Sequence, residues 1–225
     1  ATLAGIATRI RELDPQNPQG LVVMAVVKSG EKRFRDAIVL LEEARKQLTR
    51  DGDVLRRLAG AYRNHGYQLL FRKKIEPSMD QFHAFLDIAP KGMPTMAVRD
   101  VVGSHCQKLE RHGWDEMVRG NFAAAEASYK RSVRLLPDRP AGYHCLAAAK
   151  LAQKEFEVAL RAAQTAERLA KQQQDTYGLY RMLQVDILQQ MGKAEAARKL
   201  ALDFLQHPGG EADEVIAAIR KMIRD

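Results

Sequence analysis

Apolar and small residues recur along this 225-residue chain at helical spacing, three and four positions apart, with few interruptions. Ala37, Leu41 and Ala44 stand at i, i+4 and i+7, one stripe of a helix. Ala125, Tyr129 and Ser132 repeat that stripe, and so do Ala159, Ala163 and Ala166. Small residues on such a stripe let two antiparallel helices approach closely, while larger apolar neighbours fill the groove between successive pairs. The short polar breaks at residues 28–33, 119–122 and 191–194 fit helix–helix connections of a few residues. The alternating pattern of strands is nearly absent, so the pattern predicts an all-α chain.

The stripes belong to longer blocks that recur at a fixed period. One block reads His112-Gly113, Gly120-Asn121-Phe122, Ala125, Tyr129 and Pro137. Shifted by 34 residues come Leu146-Ala147, Lys154, Phe156, Ala159, Ala163 and Lys171. Near the N-terminus the frame reads Met24-Ala25, Lys32, Phe34, Ala37, Leu41, Ala44 and Thr49. Another 34 on stand Leu58-Ala59, Tyr62 and Gly66; late in the chain come Leu188, Gly192, Ala194, Ala197 and Ala201.

This pattern resembles the tetratricopeptide repeat (TPR) family, in which a small residue of a first helix faces Ala-x3-aromatic on a second, often closed by Pro. Three frames match well and two in part, together spanning nearly the whole chain. The resemblance implies an α-solenoid, helix pairs stacked into a right-handed superhelix. Its expected organisation is a single array. A half repeat or N-terminal cap covers 1–17; repeats follow at 18–51, 52–90, 91–139, 140–177 and 178–210, and a capping helix at 211–225.

Two stretches depart from the period. Between Gly66 and Pro94 the frame dissolves, and Pro77 would break a helix running through it, so a helix start is expected at Ser78 and Met79. Residues 67–77 are therefore expected to leave the regular array as an extended helix end or a loop. From Pro94 to Arg119 the pattern reads as one long helix, although Gly103 and Gly113 argue against its being unbroken. The second departure is four extra polar residues, rich in Gln, near 171–177.

At the N-terminus, Leu3, Ala7, Ile10 and Pro15 fit the second half of a repeat, and a cap helix fits equally. The segment 21–27 is apolar on every face and is expected to be covered on all sides. Near the C-terminus, Val215, Ile216, Ile219, Met222 and Ile223 form one stripe within 211–224, the pattern of a capping helix.

Candidate chemistry is sparse. The chain has no Gly-rich phosphate loop, HExxH, GxSxG or CxxC, which predicts a protein without catalytic residues or cofactor. Two dipeptides, His105-Cys106 and His144-Cys145, could place Cys and His on neighbouring helices. Adjacent helical residues point about 100° apart, however, and zinc wants four ligands, so buried thiols beside polar imidazoles are the plainer reading and no metal is expected. Two cysteines cannot form a disulfide framework and suit a reducing compartment, hence a cytoplasmic expectation. No apolar run reaches the roughly 18 residues of a membrane span.

The formal charge of +8 is uneven: residues 1–112 carry +6 of it. Within 50–74, Arg50, Arg56, Arg57, Arg63, Arg72, Lys73 and Lys74 interleave with Tyr62, Tyr67 and Phe71. Such a mixture suits nucleic acid, through phosphate contacts and stacking, or an acidic peptide; the plainest reading is a solvated face over three core aromatics. Tyr62 falls at the tyrosine position of the repeat and is assigned to packing.

The resemblance also implies a concave groove lined by first helices. Carried onto this chain, its candidates are Arg56, Arg57, Arg63 and Asn64, then Gln107, Glu110, Arg111 and Trp114, then His144. Trp114, the sole tryptophan, fits either an interface anchor beside Arg111 or core packing. The family's chaperone-tail clamp needs Lys and Asn where this chain has Val22, Val23 and Val26, so that clamp is not expected. The function read from all this is a non-enzymatic scaffold binding an acidic or amphipathic peptide or partner helix. The alternatives are nucleic-acid binding through 50–74, or a recruiting domain of a larger enzyme.

Overall fold

The computed structural model describes residues 2–14, 17–208 and 211–223. Among them are twelve helices and no strand: α1 Leu3–Leu13, α2 Pro18–Gly30, α3 Phe34–Gln47, α4 Gly52–Phe71, α5 Ile75–Ile88, α6 Met96–Val118, α7 Phe122–Leu135, α8 Pro140–Ala152, α9 Phe156–Gln172, α10 Gly178–Gln190, α11 Ala194–Gln206 and α12 Asp213–Met222. The chain divides into two compact units, 1–103 and 104–225. The long helix α6 is unbroken at Gly103 and Gly113.

Five helix pairs share one turn. After α2, α4, α6, α8 and α10, a single residue adopts a left-handed φ: Lys32 (59°), Lys73 (60°), Gly120 (80°), Lys154 (61°) and Gly192 (73°). The amide of the following residue, Arg33, Lys74, Asn121, Glu155 or Lys193, donates five positions back to the carbonyl of Lys28, Leu69, Glu116, Lys150 or Leu188. This is a Schellman-type closure, which satisfies the last carbonyls of the first helix and reverses the chain within three residues.

Counted from that turn, each pair uses the same contact positions. Seven residues before it stand Ala25, Gly66, Gly113, Ala147 and Val185; five after it stand Ala37, Ser78, Ala125, Ala159 and Ala197, and all ten are buried. Nine after it stand Leu41, Phe82, Tyr129, Ala163 and Ala201, also buried. Size is exchanged across the pair in α4–α5 and α6–α7. A Cβ built on Gly66 would lie 2.5 Å from the Phe82 ring, and one on Gly113 would lie 2.5 Å from the Tyr129 ring. Glycine opposes an aromatic; alanine opposes Leu41 or Ala163.

This frame corrects two readings of the second repeat. The frame does not dissolve after Gly66. It shifts by seven residues, so that Gly66 is the small packing residue and Lys73 makes the turn. Seven residues are close to two helical turns. The insertion lengthens α4 to 20 residues against 13 in α2, α8 and α10, while Leu58 and Ala59 stay buried on the same side. Pro77 likewise does not delay α5 to Ser78: the helix begins at Ile75 and holds Pro77 in its first turn. The amides of a first turn have no intrahelical acceptor, so the proline removes no bond there. Residues 67–77 are thus the last five residues of α4, a three-residue reversal and the start of α5.

Caps and ends complete the description. Asn17 and Asp51 accept backbone amides at the starts of α2 and α4, and Pro18 and Pro140 occupy first turns. α1 packs on α2 yet leaves Leu3, Ile6 and Leu13 exposed. The expectation that 21–27 is covered all round is not met: Leu21, Val22 and Ala25 are buried, while Val23, Met24, Val26 and Val27 are partly exposed. α12 packs on α10 and α11, burying Ile219 among Val215, Ile216 and Phe204. Pro15, Arg224 and the side chain of Ala7, on which the terminal expectations partly relied, lie outside the described residues.

Candidate functional site

In the first unit, Val54, Leu58 and Ala61 form the buried stripe of α4. Arg56 and Arg57 are exposed on its other faces; Arg63 and Asn64 are half-buried. Arg57 is committed locally, its Nε 2.6 Å from the Asp53 carboxylate. Tyr62 donates from its hydroxyl to Glu42 at 2.7 Å, and burial together with that carboxylate pushes its pKa up to about 12. Tyr67 sets its ring edge-to-face on Phe82, centroids 4.9 Å apart. Phe71 departs from the core reading and is 91% exposed.

The basic segment is therefore not one patch. A 20-residue helix is about 30 Å long, which places Arg56 near one end of α4 and Arg72, Lys73 and Lys74 beyond the other. At that far end a cleft of about 660 Å³ opens, with Lys32 and Phe34 on one wall and Asn64, Tyr67, Leu70 and Phe71 on the other.

In the second unit, Gln107, Arg111, Trp114 and Val118 stand at i, i+4, i+7 and i+11 of α6, and all four are exposed. The core side of α6 carries Cys106 and Gly113, the latter against Tyr129 of α7. Core packing for Trp114 is thereby overturned: it is 59% exposed. Glu110 is placed otherwise than its neighbours. Its carboxylate accepts the Ser132 hydroxyl at 2.7 Å and pairs with Arg139 at 3.0 Å, so it fastens α6 to α7 instead of lying open to a ligand.

His144, on α8, is half-buried with its ring edge-to-face on Tyr180 at 5.4 Å, and burial lowers its pKa. Beside it, burial pushes the Cys145 thiol up to about 12, and burial likewise raises that of Cys106. Neither thiol is poised as a nucleophile or metal ligand. Among the described residues no three His, Cys, Asp or Glu side chains converge as a metal site, and no helix is long and apolar enough to cross a membrane.

Sequence reasoning missed two networks of buried charge in the second unit. Lys150, 8% exposed, reaches Glu126 at 2.7 Å and Glu155 at 2.9 Å. Bonds from Lys130 and Lys150 hold the Glu126 pKa at about 2. Arg181, 6% exposed, donates from Nε and Nη2 to the Glu167 carboxylate and from Nη1 to Asp203 at 3.0 Å, while Gln184 donates to Glu167 at 2.5 Å. Burial alone would raise the Glu167 pKa, but its bonds to Arg181, Lys171 and Gln184 lower it. The Lys150–Glu126, Arg181–Glu167 and Arg181–Asp203 contacts join different helices, so no local spacing announces them.

Helix pairs closed by a three-residue turn, each setting a buried residue of the first helix near a buried Ala or Ser of the second, repeat five times. The fold is tetratricopeptide-like. No model of a known protein family matches the chain, and no curated protein matches it. Solved structures are similar to it at low identity. The TPR2AB domain of yeast Sti1 in complex with pHSP90 is 13% identical, with 96% of this chain and 89% of that one covered at a TM-score of 0.42. PilW, a type IV pilus biogenesis factor, is 18% identical over 96% and 89% at 0.42. YrrB, a TPR protein with an unusual peptide-binding site, is 11% identical over 96% and 97% at 0.42. These likenesses carry no weight of their own; the helix pairing does.

Proposed function

We propose that the chain is a non-enzymatic protein–protein interaction scaffold that holds a peptide or partner helix, acidic or amphipathic, on exposed faces of its first helices. The observation that carries this reading is the α6 stripe, where Trp114 is 59% exposed between the exposed Arg111 and Val118. A flat indole on a rigid helix gives contact area at little entropic cost, and a guanidinium fork suits a carboxylate. Large exposed aromatics beside arginine are the residues that anchor interfaces. Gln107 extends the stripe, Glu110 holds its helix from behind, and half-buried His144 belongs to the proposed surface of α8. Arg56, Arg57, Arg63 and Asn64 form a separate proposed surface on α4.

The test is capture by the intact chain, followed by sequencing of what remains bound. Changing Arg111→Glu and Trp114→Ala together should abolish capture while leaving the melt nearly unchanged, because exposed charges contribute little to stability. Capture that survives the double change would remove this stripe as the site. Binding that goes instead to generic oligonucleotides, weakening steeply with salt, would favour the nucleic-acid alternative.

A further inference from the structure

The seven-residue insertion lengthens α4 to 20 residues, against 13 in α2. Its two extra turns carry Asn64, Tyr67, Leu70 and Phe71 past the α2–α3 turn, and the cleft of about 660 Å³ lies between them and Lys32 and Phe34. The walls are tied together, since the Gln68 side-chain amide donates to the Lys32 carbonyl at 3.1 Å. The cleft is built on helices and a closed turn and so is preformed. Its apolar content is high for an open site: Phe71 is 91% and Tyr67 38% exposed.

The rim is cationic. Lys32 lines the cleft and Arg72, Lys73 and Lys74 follow Phe71 directly in the chain; all four are exposed, and among the described residues no ion pair to them is seen. Their neighbours differ: Lys28 pairs with Glu31, and Arg33 pairs with Glu31 and Asp36. Lys32 and Lys73 occupy the left-handed position of their turns, which anchors both rim residues on bonded backbone. An apolar floor with an unneutralised positive rim is complementary to an apolar side chain flanked by carboxylates.

We propose that this cleft binds a short acidic peptide segment, with one aromatic or aliphatic side chain seated among Tyr67, Leu70 and Phe71 and its flanking carboxylates on Lys32, Arg72, Lys73 and Lys74. Nucleic acid fits the site less well. Continuous stacking needs several free ring faces, whereas Tyr67 is already engaged with Phe82 and Phe71 alone stands clear. The site lies wholly in the first unit and is independent of the α6 stripe.

Selection of a random dodecapeptide library on the intact chain tests the proposal. The recovered peptides should share Asp or Glu around one aromatic or aliphatic residue. Their binding should fall at least tenfold in Phe71→Ser, and likewise in the Lys73→Glu, Lys74→Glu pair. It should persist in Trp114→Ala, which separates failure here from failure of the α6 reading. Phe71 is exposed, so its variant should melt as the parent does, confirming a fold able to bind. Recovered peptides without acidic residues, binding that Phe71→Ser leaves intact, or full displacement by single-stranded oligonucleotide would overturn the assignment.

Discussion

Replacing Gly113 with alanine asks whether size exchange between first and second helices holds the pairs together. The new Cβ would lie 2.5 Å from Tyr129 Cε1, 2.8 Å from Cζ and 3.0 Å from Cδ1. Carbon atoms rest about 3.5–4.0 Å apart, so the ring must retreat by about 1 Å or the helices must part. Tyr129 is 1% exposed and has no free side to move into, so this is overpacking, at about 1–3 kcal/mol. Against it stands the gain of about 1 kcal/mol from any Gly→Ala change inside a helix. Gly60→Ala isolates that gain, since a Cβ there meets nothing within 4 Å. Chemical denaturation of both variants should therefore show Gly60→Ala stabilising and Gly113→Ala lying about 1–3 kcal/mol below it. Adding Tyr129→Leu to Gly113→Ala recreates the Ala25–Leu41 pairing of the first repeat and should recover at least about 1 kcal/mol as a coupling energy. Equal stabilisation by the two alanines, or no coupling in the double variant, would refute the exchange.

Three further outcomes are expected. Ala125→Leu and Ala159→Leu, at fully buried positions, should each cost about 1–3 kcal/mol in a melt, whereas Ala123→Leu on the exposed face of α7 should be near neutral. Lys154 holds a φ of 61°, so Lys154→Gly should stabilise the second unit by about 0.5–1 kcal/mol in denaturant titration, and a loss would mean the lysine side chain contributes more than its backbone strain. Glu126 has a folded pKa of about 2 against about 4.3 unfolded, so its contribution is present above pH 4.3 and fades as pH falls toward 2; Lys150→Met should flatten that acid limb of the stability curve.

How much of this was legible can be read from particular residues. The all-α class, the pairing of helices and three of the five turns follow from local spacing: Ala37, Ala125, Ala159 and Ala197 are buried at equivalent places because a helix returns a face every three to four residues. The second repeat was misread because an insertion of two helical turns preserves the face and hides the shift; only the Lys73 turn and the contact of Gly66 with Phe82 reveal it. Trp114 and Phe71 look like core residues by type, and whether a neighbouring helix covers them is decided by packing. The Arg181–Glu167–Asp203 network and the Lys150–Glu126 pair join separate helices, so no periodicity encodes them. The sequence by itself determined the helices, their pairing and the small-residue seams, because these depend on interactions within a few turns of the chain. The tertiary structure alone decided which aromatics stay exposed, which cations stay unpaired and where the cleft opens, because burial and charge pairing depend on residues brought together from distant helices.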